Sequence, residues 1–149
     1  MPDRTISEAK GTLGSLLRRP YEALQHRVYG RLAERGFADV RPAHSSVFRY
    51  ILPKGSRVSD LAERAGMTKQ SMAYLAQSLT DLGYTAISPD PDDGRAKLVT
   101  LTERGEAVWR ALVDLSVEAE AEAADLLGPD RLIALRADLA ALAAALDGR

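Results

Sequence analysis

Apolar residues along this chain recur mostly at the three-and-four spacing of a helix. Leu13, Leu17, Tyr21, Leu24, Val28 and Leu32 mark one long helix that ends near Gly36. Pro20 falls inside it, where the missing N–H predicts a kink. Pro42 opens a second helix with Val47, Phe48, Ile51 and Leu52 on its apolar side, closed by Pro53-Lys54-Gly55-Ser56. Ser59 is the expected N-cap of a short third helix over 60–65. Gly66 follows that helix, and Thr68 caps a fourth over about 69–82 that Gly83 stops. The period then changes. Residues 84–88 and 98–102 read as strands, and the intervening PDPDDGRA predicts a wide loop rather than a tight hairpin. Thr102 caps a long fifth helix to about Leu127, and Gly128-Pro129 ends it and starts a sixth. That last helix carries Leu132, Leu135, Leu139, Leu142 and Leu146, a short heptad seam.

The stretch RAGMTKQSMAYLAQSLTDLGY, residues 64–84, breaks helix at a single glycine and restarts it two residues later. A short helix, a glycine turn and a longer helix form a helix-turn-helix pattern. Leu61, Met67, Met72, Leu75 and Leu79 suit its shared core. At about 100° per residue the fourth helix places Met72, Leu75, Leu79 and Leu82 on one side. The other side presents Gln70, Ala73, Tyr74 and Gln77. A merely solvated face would be expected to be rich in Lys and Glu. Glutamine can pair with adenine, and alanine or an aromatic can touch a thymine methyl. Lys69 at the helix start is placed for phosphate. The competing reading is a polar face on an ordinary packing helix.

Two strands directly after such a helix make a wing. Its loop carries Arg95 and Lys97 beside Asp90, Asp92 and Asp93. Three carboxylates near phosphate would repel it unless one has an internal role. Asp93, two residues before Arg95, is the candidate to hold that guanidinium extended toward a minor groove. An ordinary charged hairpin tip is the alternative.

Composition narrows the class. The 149 residues suit one unit with its own core, and there is no cysteine, so disulfides, thiolate metal sites and thiol chemistry are excluded. Two histidines, His26 and His44, make no metal site alone. The opening MPDRTISEAK lacks an apolar run and does not read as a signal peptide. No apolar stretch is long enough to span a membrane, so a cytoplasmic protein is expected. Net charge is −1, but residues 1–57 hold eleven Lys and Arg against five Asp and Glu, and residues 114–147 hold two against eight. A basic face is therefore compatible with a neutral total.

The run VSDLAERAGMTKQSMAYLAQSLTDLGY followed by PDPDDGRAKLVTLTERG resembles the MarR family of bacterial winged-helix transcription regulators. The most specific piece is Asp93-Gly94-Arg95-Ala96-Lys97 with the return strand Leu98-Val99-Thr100-Leu101 and Thr102-Glu103-Arg104-Gly105. The resemblance implies a mainly α fold with a small β-hairpin wing: a winged helix-turn-helix over about 42–101, and a helical dimerisation region over about 5–36 and 102–147. It implies a homodimer on a pseudo-palindromic operator in double-stranded DNA, most simply as a repressor. The recognition-helix start then maps onto Thr68, Lys69, Gln70 and Ser71, the wing arginine onto Arg95 and its aspartate onto Asp93. Further attraction for DNA is expected from Lys54, Arg57, Lys97 and arginines of the first two helices.

Leu132, Leu135, Leu139, Leu142 and Leu146 are the expected dimer seam, too short to be stable alone. Packing within one chain is the alternative. The resemblance also implies a small, often aromatic, effector in a crevice between the two regions. Tyr21, His26, Tyr29, His44, Phe48 and Trp109 are available there, although each also suits a core or interface position. No Gly-rich cofactor loop or paired acid and base appears, so no cofactor and no enzymatic activity are expected. The rival function is a winged helix that binds protein and not DNA.

Overall fold

A computed structural model describes residues 11–148. The expected dimerisation region begins at residue 5, so its first residues lie outside those described. Helix α1 spans Leu13–Leu32, capped by Thr12, and passes through Pro20 as one helix before a π-type turn, Ala33–Phe37. A 3-10 turn, Pro42–His44, leads into α2, Ser45–Tyr50. Strand β1 is two residues, Ser56–Arg57, and runs straight into α3, Val58–Ala65. Helix α4 is Lys69–Asp81. Strands β2, Thr85–Asp90, and β3, Asp93–Leu101, follow. Helix α5 is Glu103–Leu127 and α6 is Pro129–Asp147.

Three sequence expectations need correction. Ser59 does not cap α3. The helix starts at Val58 with Arg57 as the flanking residue, because β1 must pair with β3 immediately before it. That strand was not expected at all; two residues are too few to show an alternation. The wing is not a wide loop. Its strands extend to Asp90 and Asp93, so only Pro91 and Asp92 separate them, with a register shift between Pro89 and Asp90. The strand order is β1-β3-β2, antiparallel throughout.

One core joins the elements from α1 to α5. Leu32, Val47, Leu61, Met72, Leu79, Tyr84, Val99, Val108 and Leu115 are almost wholly removed from water. Burial of such side chains contributes about 1.5–3 kcal/mol each, against the entropy of ordering them. The wing is welded to α5. Thr102 donates to the Gly83 carbonyl (2.7 Å) and accepts from the Gly105 N–H (3.1 Å). A side chain at Gly105 would place its Cβ 1.9 Å from the Tyr84 carbonyl oxygen, so only glycine lets α5 start this close. The Tyr84 hydroxyl donates to Asp39 (2.5 Å) and accepts from Arg104 (3.1 Å), linking the segment after the π-type turn to the start of α5.

The charge segregation also has an internal use. Arg27 and Arg31 on α1 and Arg35 in the turn after it face Glu118 and Glu122 on α5; Arg27 lies 3.6 Å from Glu122 and Arg35 3.0 Å from Glu118. These half-exposed pairs contribute modestly to stability, yet they set the two helices side by side. Arg27, Arg31 and Arg35, among the arginines expected to attract DNA, are thereby paired with the acidic helix.

Candidate nucleic-acid interface

Gly66 answers the interruption in the sequence. It takes the left-handed conformation, φ 65° and ψ 33°, and its N–H and that of Met67 return to carbonyls of α3. An L side chain is disfavoured in that conformation. Two residues later Thr68 is extended and its Oγ1 accepts from the Ser71 N–H at 3.1 Å. The chain thus ends one helix, turns and launches α4 with its first turn capped. Met72, Leu75, Ala76 and Leu79 go into the core. Lys69, Gln70, Ser71, Ala73, Tyr74 and Gln77 stay exposed, Tyr74 at 75%.

Grooves lie on both sides of that exposed ridge. One, of about 390 Å³, runs between α4 and the wing and is lined by Arg57, Val58, Ser59, Lys69, Gln70, Ala73, Arg95, Ala96 and Lys97. It brings together five of the sequence-selected residues: Arg57, Lys69, Gln70, Arg95 and Lys97. The other groove lies between α4 and the start of α2, lined by Ala43, Ser46, Met67, Gln70, Ser71, Tyr74 and Leu75. It takes Ser71 and Tyr74. Thr68 serves as the cap. Gln77 donates to Asp81 at 2.9 Å within the helix. Lys54 is exposed in the turn before β1 and lines neither groove. Sequence reasoning did not select Val58, Ser59 or Ala96 for this groove: Ser59 was read as a cap, Ala96 only as part of the wing motif, and none carries a charge.

The wing aspartates divide their work differently from expectation. Asp93 meets Arg95 through the backbone: its Oδ1 accepts the Arg95 N–H at 3.1 Å. The described residues show no bond from Asp93 to the guanidinium, so its orienting effect is on the chain at Arg95 and not on the side-chain tip. The carboxylate with an ionic partner is Asp90. It is buried, accepts from the Asp92 N–H (2.9 Å) and pairs with Arg57, Nε to Oδ2, at 2.5 Å. The Asp92 amide and then Arg57 hold its carboxyl below the usual range, and the hydrogen bond to Asp90 raises Arg57.

The six residues expected at an effector crevice differ in exposure. Tyr29, His44 and Phe48 are buried core residues, while Tyr21, His26 and Trp109 are exposed. None lines either groove. His44 is a strut. Its Nδ1 accepts the Arg41 N–H (2.9 Å), so Nε2 carries the proton and meets Ser78 Oγ at 3.1 Å on α4. Burial, then the charge of Arg41, lowers its pKa. Burial pushes the Tyr29 phenol up to about 12. Tyr21 lies at the surface, where its hydroxyl accepts from Arg49 (2.5 Å) and Gln25 (2.8 Å) and Arg49 stacks 5.5 Å from its ring centre. On α6, Leu135, Leu139 and Leu146 are exposed and Leu132 and Leu142 half-buried.

A MarR family model matches residues 30–96. The transcriptional activatory protein BadR of Rhodopseudomonas palustris is 32% identical over 71 residues, which are 48% of this chain and 41% of that protein. An uncharacterized protein of Mycobacterium tuberculosis is 30% identical over 89 residues, 60% of this chain and 62% of that one. The chain therefore spans about two to three fifths of the length of these curated relatives. In structure it is similar to the transcriptional repressor CouR bound to a 23-mer DNA duplex, with a TM-score of 0.73 and 24% identity, over 95% of this chain and 99% of that one.

Proposed function

We propose that the chain is a MarR-family protein: a non-enzymatic, sequence-specific regulator of transcription that binds double-stranded DNA as a homodimer. Residues 42–101 form the DNA-binding unit, and 5–36 with 102–147 the dimerisation region. The observation that carries the reading is the groove between α4 and the wing. One wall ends in the hydrogen-bonding side chain of Gln70, and the other in the exposed cation Arg95. The α4 ridge suits a major groove, and the wing suits the minor groove beside it. Lys69 and Lys97 neutralise phosphate, so affinity falls steeply with salt. Two copies address half-sites about 10 bp apart.

The regulator is read as a cytoplasmic repressor that blocks the promoter it occupies. CouR is itself a repressor bound to DNA. Among the described residues no helix is long and apolar enough to cross a membrane. Control by a small aromatic molecule belongs to the same reading. The groups that would meet it are the surface Tyr21 and the Arg49 stacked on it, which has no carboxylate partner among the described residues.

Selection of duplexes from a random pool with the purified protein tests the reading. A two-fold symmetric motif is expected, and failure to enrich any motif favours the protein-binding alternative. On the enriched duplex, Arg95→Ala should weaken binding about tenfold or more without changing the melting temperature. Gln70→Ala should relax preference at one base position by about 1–3 kcal/mol; an equal loss on every sequence would reject base reading by that residue.

A further inference from the structure

We propose that Arg57 is a positioning residue that bolts the wing through Asp90, and that it does not neutralise DNA phosphate. The proposal rests on the DNA-binding reading above. Arg57 lines the presumed interface and its charge invites a phosphate role. The geometry points elsewhere. Strand β1 pairs with β3 only at Ser56 with Val99 and Arg57 with Leu98. Beyond Leu98, β3 and β2 run on as a two-stranded ribbon, and an isolated ribbon of that kind is marginal in water. The ribbon is further weakened near its end, where the register shifts at Pro89 and Asp90 and Pro89 supplies no N–H.

Arg57 sits at the last β1 position and reaches Asp90 near the end of β2, on the far side of β3 in the sheet order. Asp90 uses its second oxygen on the Asp92 N–H, so one carboxylate ties the hairpin turn and β1 together. Its burial is the telling feature. Asp92, Asp93, Gly94 and Arg95 around it are exposed, yet Asp90 is only 7% so. An acid in a DNA interface repels phosphate unless a cation within the protein already answers it. Among the described residues Lys69, Arg95 and Lys97 have no acidic partner, so of the groove cations Arg57 alone is paired. Arg57 and Asp90 therefore set the tilt of the ribbon, and with it the point at which Arg95 is presented.

The test uses the full-length protein and the selected duplex, with Arg57→Met, Asp90→Asn and the double variant. Two readouts are needed: amide exchange of residues 92–96 in the free protein, and affinity across a salt series. Each single variant should speed exchange in the wing several-fold and weaken binding about tenfold, the loss of one charge-assisted hydrogen bond. The double should bind no worse than the weaker single, and the salt slope should match wild type. A loss confined to Arg57→Met, with the slope reduced by about one and Asp90→Asn binding as tightly or more so, would make Arg57 a phosphate contact and overturn the proposal. Unchanged exchange in the wing, or an increase spread over the whole chain, would overturn it as well. If wild type enriches no duplex, the regulator reading fails, and wing exchange alone decides whether the bolt exists.

Discussion

The winged region and the terminal helix use the same residue types to opposite effect. In α4, four of thirteen residues are buried, and the exposed ones make the ridge described above. In α6, with nineteen residues and a regular leucine repeat, none is buried. Ile133 is 66% exposed and Leu126, at the end of α5, 76%. The amino-terminal half of α1 behaves like α6: Leu13, Leu17, Tyr21 and Leu24 are exposed, although Val28 and Leu32 of the same stripe are buried. A helical stripe therefore says that a face will be covered. It does not say by what. The winged region covers its own stripes, whereas the arms leave theirs open, and scattered exposed leucines would be ordinary where a contiguous run is not.

The largest effect should come from breaking the self-contained side. Leu79 is completely buried between α4 and the rest of the core. Leu79→Ala should cost about 2–5 kcal/mol, measured by denaturant unfolding, and the cost should not vary with protein concentration. The arm should respond differently. Leu139→Asp places a charge on an exposed position of one chain, so chain folding should survive. Self-association, followed by sedimentation, should weaken about a hundredfold or more, because the carboxylate enters an apolar contact unpaired. A wild-type protein that sediments as a monomer at micromolar concentration would defeat the dimer reading outright. A Leu139→Asp variant that stays dimeric would move the interface off the leucine seam.

What could be read from the sequence follows the same division. The helix breaks at Gly66 and Gly128 and the caps at Thr68 and Thr102 were legible, because each rests on local chemistry that few residues supply. The division of α4 into a buried face and an exposed ridge was legible from periodicity alone. Strand β1 was not, since two residues acquire their pairing only when β3 arrives from forty residues away. The wing length was misjudged because Pro89 and Asp90 look like turn residues, yet the strand accommodates them with a register shift. The acidic partner was misassigned for a related reason. Asp93 is near Arg95 in sequence, but Asp90 is the carboxylate that folding brings to a guanidinium, that of Arg57. The basic and acidic blocks were real, and part of their meaning was the α1–α5 pairing, which composition cannot distinguish from a surface field.

His44 gives the smallest and most specific test of the self-contained region. The sequence made it a candidate ligand contact; the structure uses it to tie the turn before α2 to α4. Its neutral form is required, because Nδ1 must accept the Arg41 N–H while Nε2 faces Ser78. Burial lowers its pKa below the ordinary 6.5. The unfolded chain therefore takes up a proton first as pH falls. The stabilisation is present above about pH 6.5, declines as pH drops toward the folded-state pKa, and levels off below it. His44→Gln keeps a polar side chain and removes that titration. The gap in melting temperature between wild type and His44→Gln should be widest near pH 7.5 and should shrink by about pH 5. A gap independent of pH would mean that the imidazole is protonated alike in both states, and that the strut between α2 and α4 is not the neutral one its hydrogen bonds describe.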